Sequence, residues 1–150
     1  MSYVGRYVPK HREKYLGIGQ IPIYKSMLEL LTFRWLDENN NVKRWGYELI
    51  RVPYFLPRPP FDGKVHRYMV DIYAEIINTK GGIEKYLAEV KSTSEFKKPS
   101  MTKSTNRNTR RNYNLAMVTF IKNQCKWKAA KQFCDHSGMK FIFITEQDLY

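Results

Sequence analysis

Asp71 lies in an apolar run, and eighteen positions later Glu89-Val90-Lys91 ends a second one. Two acids and a lysine form a set with definite chemical uses. Hydrolysis of a phosphodiester needs charge neutralised on the phosphate and a water made nucleophilic. Carboxylates holding Mg²⁺, or Mn²⁺ in its place, can serve both needs. Asp71 and Glu89 are therefore read as metal ligands. A lysine two residues past Glu89 can bring an ammonium to the attacking water or a phosphate oxygen, as point charge and donor. Lys91 is assigned that role. A carboxylate among Val, Ile and Tyr is costly to bury unless a cation or hydrogen-bond donors meet it, so an ordinary salt bridge is the alternative partner for Asp71. Charged residues also alternate on the solvated side of ordinary strands, which is the alternative origin of Glu89 and Lys91.

The elements that must position these groups are legible on either side. Residues Tyr68 to Ile77 and Ile83 to Lys91 read as strands, and Asn78-Thr79-Lys80-Gly81-Gly82 between them is turn chemistry, so they are expected to pair as a hairpin. Side chains alternate along a strand, which puts Glu89 and Lys91 on one face, with Asp71 opposite if the register agrees. Ser26 starts a helical stripe of Met27, Leu30, Leu31 and Phe33 to Leu36. Glu29 in its first turn either completes an S-x-x-E capping box with Ser26 or joins the catalytic acids. Arg44 to Val52 reads as a strand. Pro53 to Gly63 holds four prolines and cannot be a central strand. Ser92 to Asn112 reads as a basic mobile loop, and Tyr113 to His136 as one long helix with an apolar stripe including Leu115, Met117 and Val118. Met139 to Ile144 is a short buried strand. Thr145 to Asp148 resembles a helix start. The order helix, three strands, helix, strand indicates a mixed α/β layer fold. One domain over residues 26–150 is expected, preceded by a basic irregular arm over residues 1–25.

Charge points to the partner. The 150 residues carry 26 Lys and Arg against 14 Asp and Glu, a net charge of +12, which favours a polyanion. No apolar run approaches the roughly 20 residues of a membrane span, and no signal-peptide core is present, so a cytosol-like compartment is expected. Between Lys97 and Lys131 there are ten cations and no acid, where a merely solvated face would mix signs. Lys97, Lys98, Lys103, Arg107, Arg110, Arg111, Lys126 and Lys128 are the expected DNA-binding residues, making phosphate contacts that position a duplex without reading its sequence. Part of this segment docking on another protein is the alternative. Tyr113 and Trp127 sit at helical positions that favour core over base stacking. Cys125 and Cys134 are expected as free thiols, since a zinc site with His136 would lack a fourth ligand and any C-x-x-C pair. His66 could approach the Asp71 strand, although a surface position is the commoner fate.

Helix with Glu29, strand, strand with Asp71, strand with Glu89-Val90-Lys91, long helix and strand resembles the core of the PD-(D/E)XK nuclease superfamily. The resemblance implies an α/β fold with a single restriction-endonuclease-like core, a central mixed sheet flanked by helices. It also implies that Asp71, Glu89 and Lys91 are the catalytic triad, with Glu29 the acid from the first helix. Val70 stands where the family name expects proline. The closing Phe141 to Leu149 resembles the end of the catalytic domain of transposon-end-cleaving endonucleases. The start Met1 to Lys10, the length and the Glu89-Val90-Lys91 motif resemble the head completion nucleases of T-even-type bacteriophages. That family implies trimming or cutting of packaged DNA so that filled heads can join tails. It further implies contact with head, portal or neck proteins, a place in the host cytoplasm during assembly or in the virion head or neck, and no small-molecule cofactor. The rival readings are a non-catalytic DNA-binding or head-tail joining protein on the same fold, and a basic nucleic-acid-binding regulator.

Overall fold

The structure is a computed structural model and describes residues 4–101 and 106–150. Strands β1 (Gly5–Arg6) and β2 (Ile23–Tyr24) pair antiparallel around a 3-10 turn at Arg12–Lys14. Helix α1 (Met27–Glu38) follows, then β3 (Val42–Tyr47), β4 (Arg51–Leu56), β5 (Lys64–Met69), β6 (Ile72–Ile77) and β7 (Ile83–Val90). A 3-10 turn at Thr93–Phe96 leads towards the long helix α2 (Arg107–Ser137), β8 (Lys140–Ile144) and the short α3 (Glu146–Leu149). The central sheet runs β3-β6-β7-β8, antiparallel up to β7 and parallel between β7 and β8. This is the mixed sheet flanked by helices that the sequence led us to expect. Among the described residues no helix is long and apolar enough to cross a membrane.

The hairpin forms as the turn residues require. Ile77 pairs with Ile83, Asn78 Oδ1 accepts the backbone N–H groups of Lys80 and Gly82, and Gly81 takes φ +82°, a conformation open to glycine because it lacks a Cβ. Along β7 the period of two divides the two cores. Ala88 and Val90 belong to the core with Phe33, Leu36, Trp45 and Ile72, whereas Leu87 belongs to the core with Trp127, Ala130, Cys134 and Tyr68. Glu89 alternates with Ala88 and Val90 and so shares the face of Leu87.

Two expected strands are each broken. The Arg44 to Val52 run ends at Tyr47 and resumes at Arg51, and the Tyr68 to Ile77 run is interrupted at Val70 and Asp71. Tyr47 pairs with Ile72 and Arg51 with Met69, so three residues on one side face two on the other. The surplus is absorbed at Glu48, the one described non-glycine residue with positive φ, at 53°, as in a bulge. Glu48 N–H donates to Asp71 O at 2.9 Å and Val70 N–H to Ile50 O at 3.1 Å, which ties the two breaks together. Beyond them β4 and β5 peel away as a two-stranded ribbon. Pro53 to Leu56, expected outside any central strand, lies in that ribbon.

Helix α2 starts before the expected Tyr113. Asn106 caps it by accepting the Thr109 N–H at 2.8 Å, so Arg107, Arg110 and Arg111 stand on helix rather than on loop. Gly138 at φ +69° ends it. Its buried residues are Trp127, Ala130 and Cys134. Leu115 and Val118, expected in the apolar stripe, are 58% and 40% exposed, and the buried residues of the helix lie in its second half. The segment before residue 26, expected to be irregular, holds the β1–β2 pair and sends Tyr7 into the first core.

Candidate active site

The fold brings Glu29, Asp71, Glu89 and Lys91 to one cleft of about 650 Å³, which Lys25 and Ser26 also line. Extending the β6–β7 register one position beyond Ile72 and Ala88 sets Asp71 across from Glu89. Asp71 sits at the break rather than inside a strand, and its Oδ2 accepts the Val90 N–H at 2.9 Å. Glu89 is 8% exposed. Its Oε2 accepts from the buried Tyr68 hydroxyl. Burial raises the pKa of both carboxyls above the ordinary range. The charge of Glu89 adds to the rise at Asp71, while the Tyr68 hydrogen bond, Lys91 and Lys126 oppose it at Glu89.

Lys91 leaves β7 with its backbone N–H on Ile144 O at 3.0 Å, so β8 fixes where the side chain begins. Its side chain is 25% exposed and its Nζ lies 4.0 Å from Glu95 Oε1. Glu29 does not close the expected reciprocal box with Ser26. Ser26 Oγ accepts the Glu29 N–H at 3.1 Å, but the Glu29 carboxylate accepts from Lys25 N–H at 2.7 Å and from the Tyr47 hydroxyl at 2.9 Å. Ser26 thus caps the helix at the Glu29 N–H, and the Glu29 carboxylate lies at the cleft with the other acids. Burial and the Glu29 charge push the Tyr47 pKa up, so the phenol keeps its proton and donates it in the hydrogen bond to the carboxylate.

Sequence reasoning missed Tyr47 and Tyr68. A buried phenol needs a hydrogen-bond partner, and tyrosines within apolar runs beside acids were the available signal. Of the expected DNA-binding residues, Lys97, Lys98, Arg107, Arg110, Arg111 and Lys128 are exposed, and Lys103 lies outside the described residues. Lys126 is half-buried, with its ammonium 5.5 Å from the Tyr68 ring centroid, so it faces the core rather than an outer rim. Lys122 on the same helix is also half-buried. Trp127 is core, against Phe96 and Phe143. His66 pairs with Asp62 at 2.8 Å and does not line the carboxylate cleft. Neither cysteine is in a disulfide.

Among the described residues no three His, Cys, Asp or Glu side chains gather closely enough to hold a metal by themselves. The donor set still fits a hard divalent cation. Glu89 is buried and Asp71 half-buried, the two repel one another, and each spends only one oxygen on a hydrogen bond from the described residues. Mg²⁺ is commonly held by one or two carboxylates with water and substrate phosphate completing its shell.

Comparison with known proteins identifies the family of the chain. The TnsA-like endonuclease N-terminal family matches residues 39–146, a stretch that contains Asp71, Glu89 and Lys91 but begins after Glu29. The head completion nuclease of Enterobacteria phage T4 is 32% identical over 149 residues, covering 99% of this chain and 95% of that protein. With the restriction-endonuclease-like sheet already in place, the chain belongs to the TnsA-like endonuclease N-terminal family.

Proposed function

We propose that this chain is a divalent-metal-dependent DNA nuclease, acting with little sequence specificity on packaged DNA during phage head completion. The observation that carries the reading is the convergence of Asp71, Glu89, Lys91 and Glu29 on one cleft. Asp71 and Glu89 would hold Mg²⁺ or Mn²⁺. When bound, the cation supplies charge neutralisation at the phosphate and a water acidified towards hydroxide. Lys91 offers its ammonium to a phosphate oxygen or the attacking water. Glu29, anchored by Tyr47 and the Lys25 N–H, adds negative charge on the α1 side and orients the solvent that enters there. The cations Lys97, Lys98, Arg107, Arg110, Arg111 and Lys128 hold the DNA backbone, with no base readout. The T4 relative, a head completion nuclease, supports placing this activity in head completion, and a role in joining filled heads to tails is the proposal that goes with it. It implies contact with head, portal or neck proteins, in the host cytoplasm during assembly or in the virion.

Cleavage of linear and plasmid DNA by homogeneous protein tests this reading. Cutting is expected with Mg²⁺ or Mn²⁺ and not in excess EDTA, with Ca²⁺ supporting binding but little turnover because its looser coordination orients water less strictly. DNA binding without any cleavage would favour a head-tail joining protein that keeps the fold without the chemistry. Undiminished cutting in EDTA would remove the metal mechanism.

A further inference from the structure

Lys126 occupies a costly place for a cation on a basic helix. Its neighbours Trp127 and Ala130 belong to the buried end of α2, and it is itself half-buried. Its ammonium lies 5.5 Å from the Tyr68 ring centroid and 5.9 Å from that of Tyr54. Holding a long side chain there costs rotamer entropy as well as hydration. Burial accordingly lowers its pKa, Lys122 adds to the effect, and the charges of Glu89 and Asp71 oppose it. Tyr68 connects the two ends, for its hydroxyl donates to Glu89 Oε2.

We propose that Lys126 is a positioning residue of the carboxylate site, held on the rings of Tyr54 and Tyr68 so that the Tyr68 hydroxyl fixes one oxygen of Glu89. The inference rests on the nuclease reading and on the role of Glu89 in it. A cation on the face of a phenol is attracted by the ring's electrons and draws density from the ring, which makes its O–H a stronger donor. The polarised hydrogen bond then restrains the Glu89 carboxylate and leaves its second oxygen for the cleft. A lysine that merely touched a phosphate would need none of this burial.

The test is steady-state cleavage by Lys126→Met, Tyr68→Phe and the double variant, with thermal unfolding as a control for folding. Lys126→Met keeps the apolar stem and removes the charge, and Lys126→Gln replaces it if that protein does not fold. The expected result is a fall in kcat of about 10-fold or more, the usual cost of losing a group that orients a metal ligand, with KM for DNA and its salt dependence unchanged. The double variant should be no slower than the worse single one, since both act through one hydrogen bond. Lys126→Arg should recover most of the rate, because guanidinium stacks on aromatic faces. Two outcomes would overturn the proposal while leaving the nuclease reading intact. One is a Lys126→Met that raises KM and flattens the slope of log K against log salt by about 0.9, as expected when one phosphate is no longer neutralised. The other is a double variant in which the two losses multiply. A parent protein that cuts no DNA with any divalent metal would remove the nuclease reading and this inference with it.

Discussion

Asp71 and Glu89 oppose each other where the β6–β7 hairpin meets the break in the sheet, and their burial sets a measurable pH dependence. Burial raises both carboxyls and the Glu89 charge adds to the rise at Asp71, so between the unfolded and folded values the folded state binds more protons. Stability from this pair is present below the unfolded carboxylate pKa and is lost as pH rises through the folded values. Asp71→Asn keeps an oxygen for the Val90 N–H and removes one charge. Its thermal midpoint should therefore fall less than the parent's between pH 5 and pH 8 in metal-free buffer, measured by calorimetry. Equal slopes would mean that the two carboxyls do not burden the fold. Asp71, Glu89 and Lys91 were legible because charged residues in apolar strands need a reason. The hydroxyl partners of Glu29 and Glu89, Tyr47 and Tyr68, were not, since in sequence each reads as one more apolar strand residue.

Among elements, the hairpin was legible from its turn residues, and α2 from its apolar residues and its Gly138 stop. The break at Glu48 and Asp71 was not, because it is made by hydrogen bonds between segments far apart in the chain, Glu48 N–H to Asp71 O and Val70 N–H to Ile50 O. A β-branched residue at the positive φ of Glu48 should be strained. Glu48→Val is predicted to destabilise the protein by about 1–2 kcal/mol relative to Glu48→Gly in urea unfolding, and equal stabilities would deny the bulge. The first turns of α2 were not legible because Arg107 to Asn112 lack apolar residues, and none of them is buried. The exposed cations there lead to a second prediction. Neutralising Lys97, Lys98, Arg110 and Arg111 should weaken DNA binding and lower the salt slope by roughly 0.9 for each phosphate that is no longer paired with a cation. An unchanged slope in a binding titration would assign these residues another partner.

At the scale of the whole molecule, two cores on opposite faces of one sheet hold the cleft between them, and the N-terminal segment helps to close the first. Asp37, fully buried, accepts from the Tyr7 hydroxyl at 2.5 Å and from the N–H groups of Lys10 and His11 at 2.8 and 3.0 Å. Burial works to raise its pKa, but these donors outweigh it and hold the carboxyl below its ordinary value. Its contribution to stability is thus present above the unfolded carboxylate pKa and lost as pH falls, opposite in sign to the Asp71 pair. Asp37→Ala should cost about 3 kcal/mol or more by leaving buried donors unpaired, read as a lower urea midpoint, and a neutral result would detach the segment from the core. The net charge of +12 signalled a polyanionic partner at this scale, but not which cations face it. The central claim is that the cleft performs hydrolysis as well as binding DNA. Its most direct test compares cleavage rate with DNA affinity for the parent, Asp71→Asn and Lys91→Ala in Mg²⁺. Both variants should fold, bind DNA nearly as well as the parent or better, and lose at least ~100-fold in rate, comparable to one transition-state electrostatic contribution. Normal cleavage by both folded variants would contradict the assigned site.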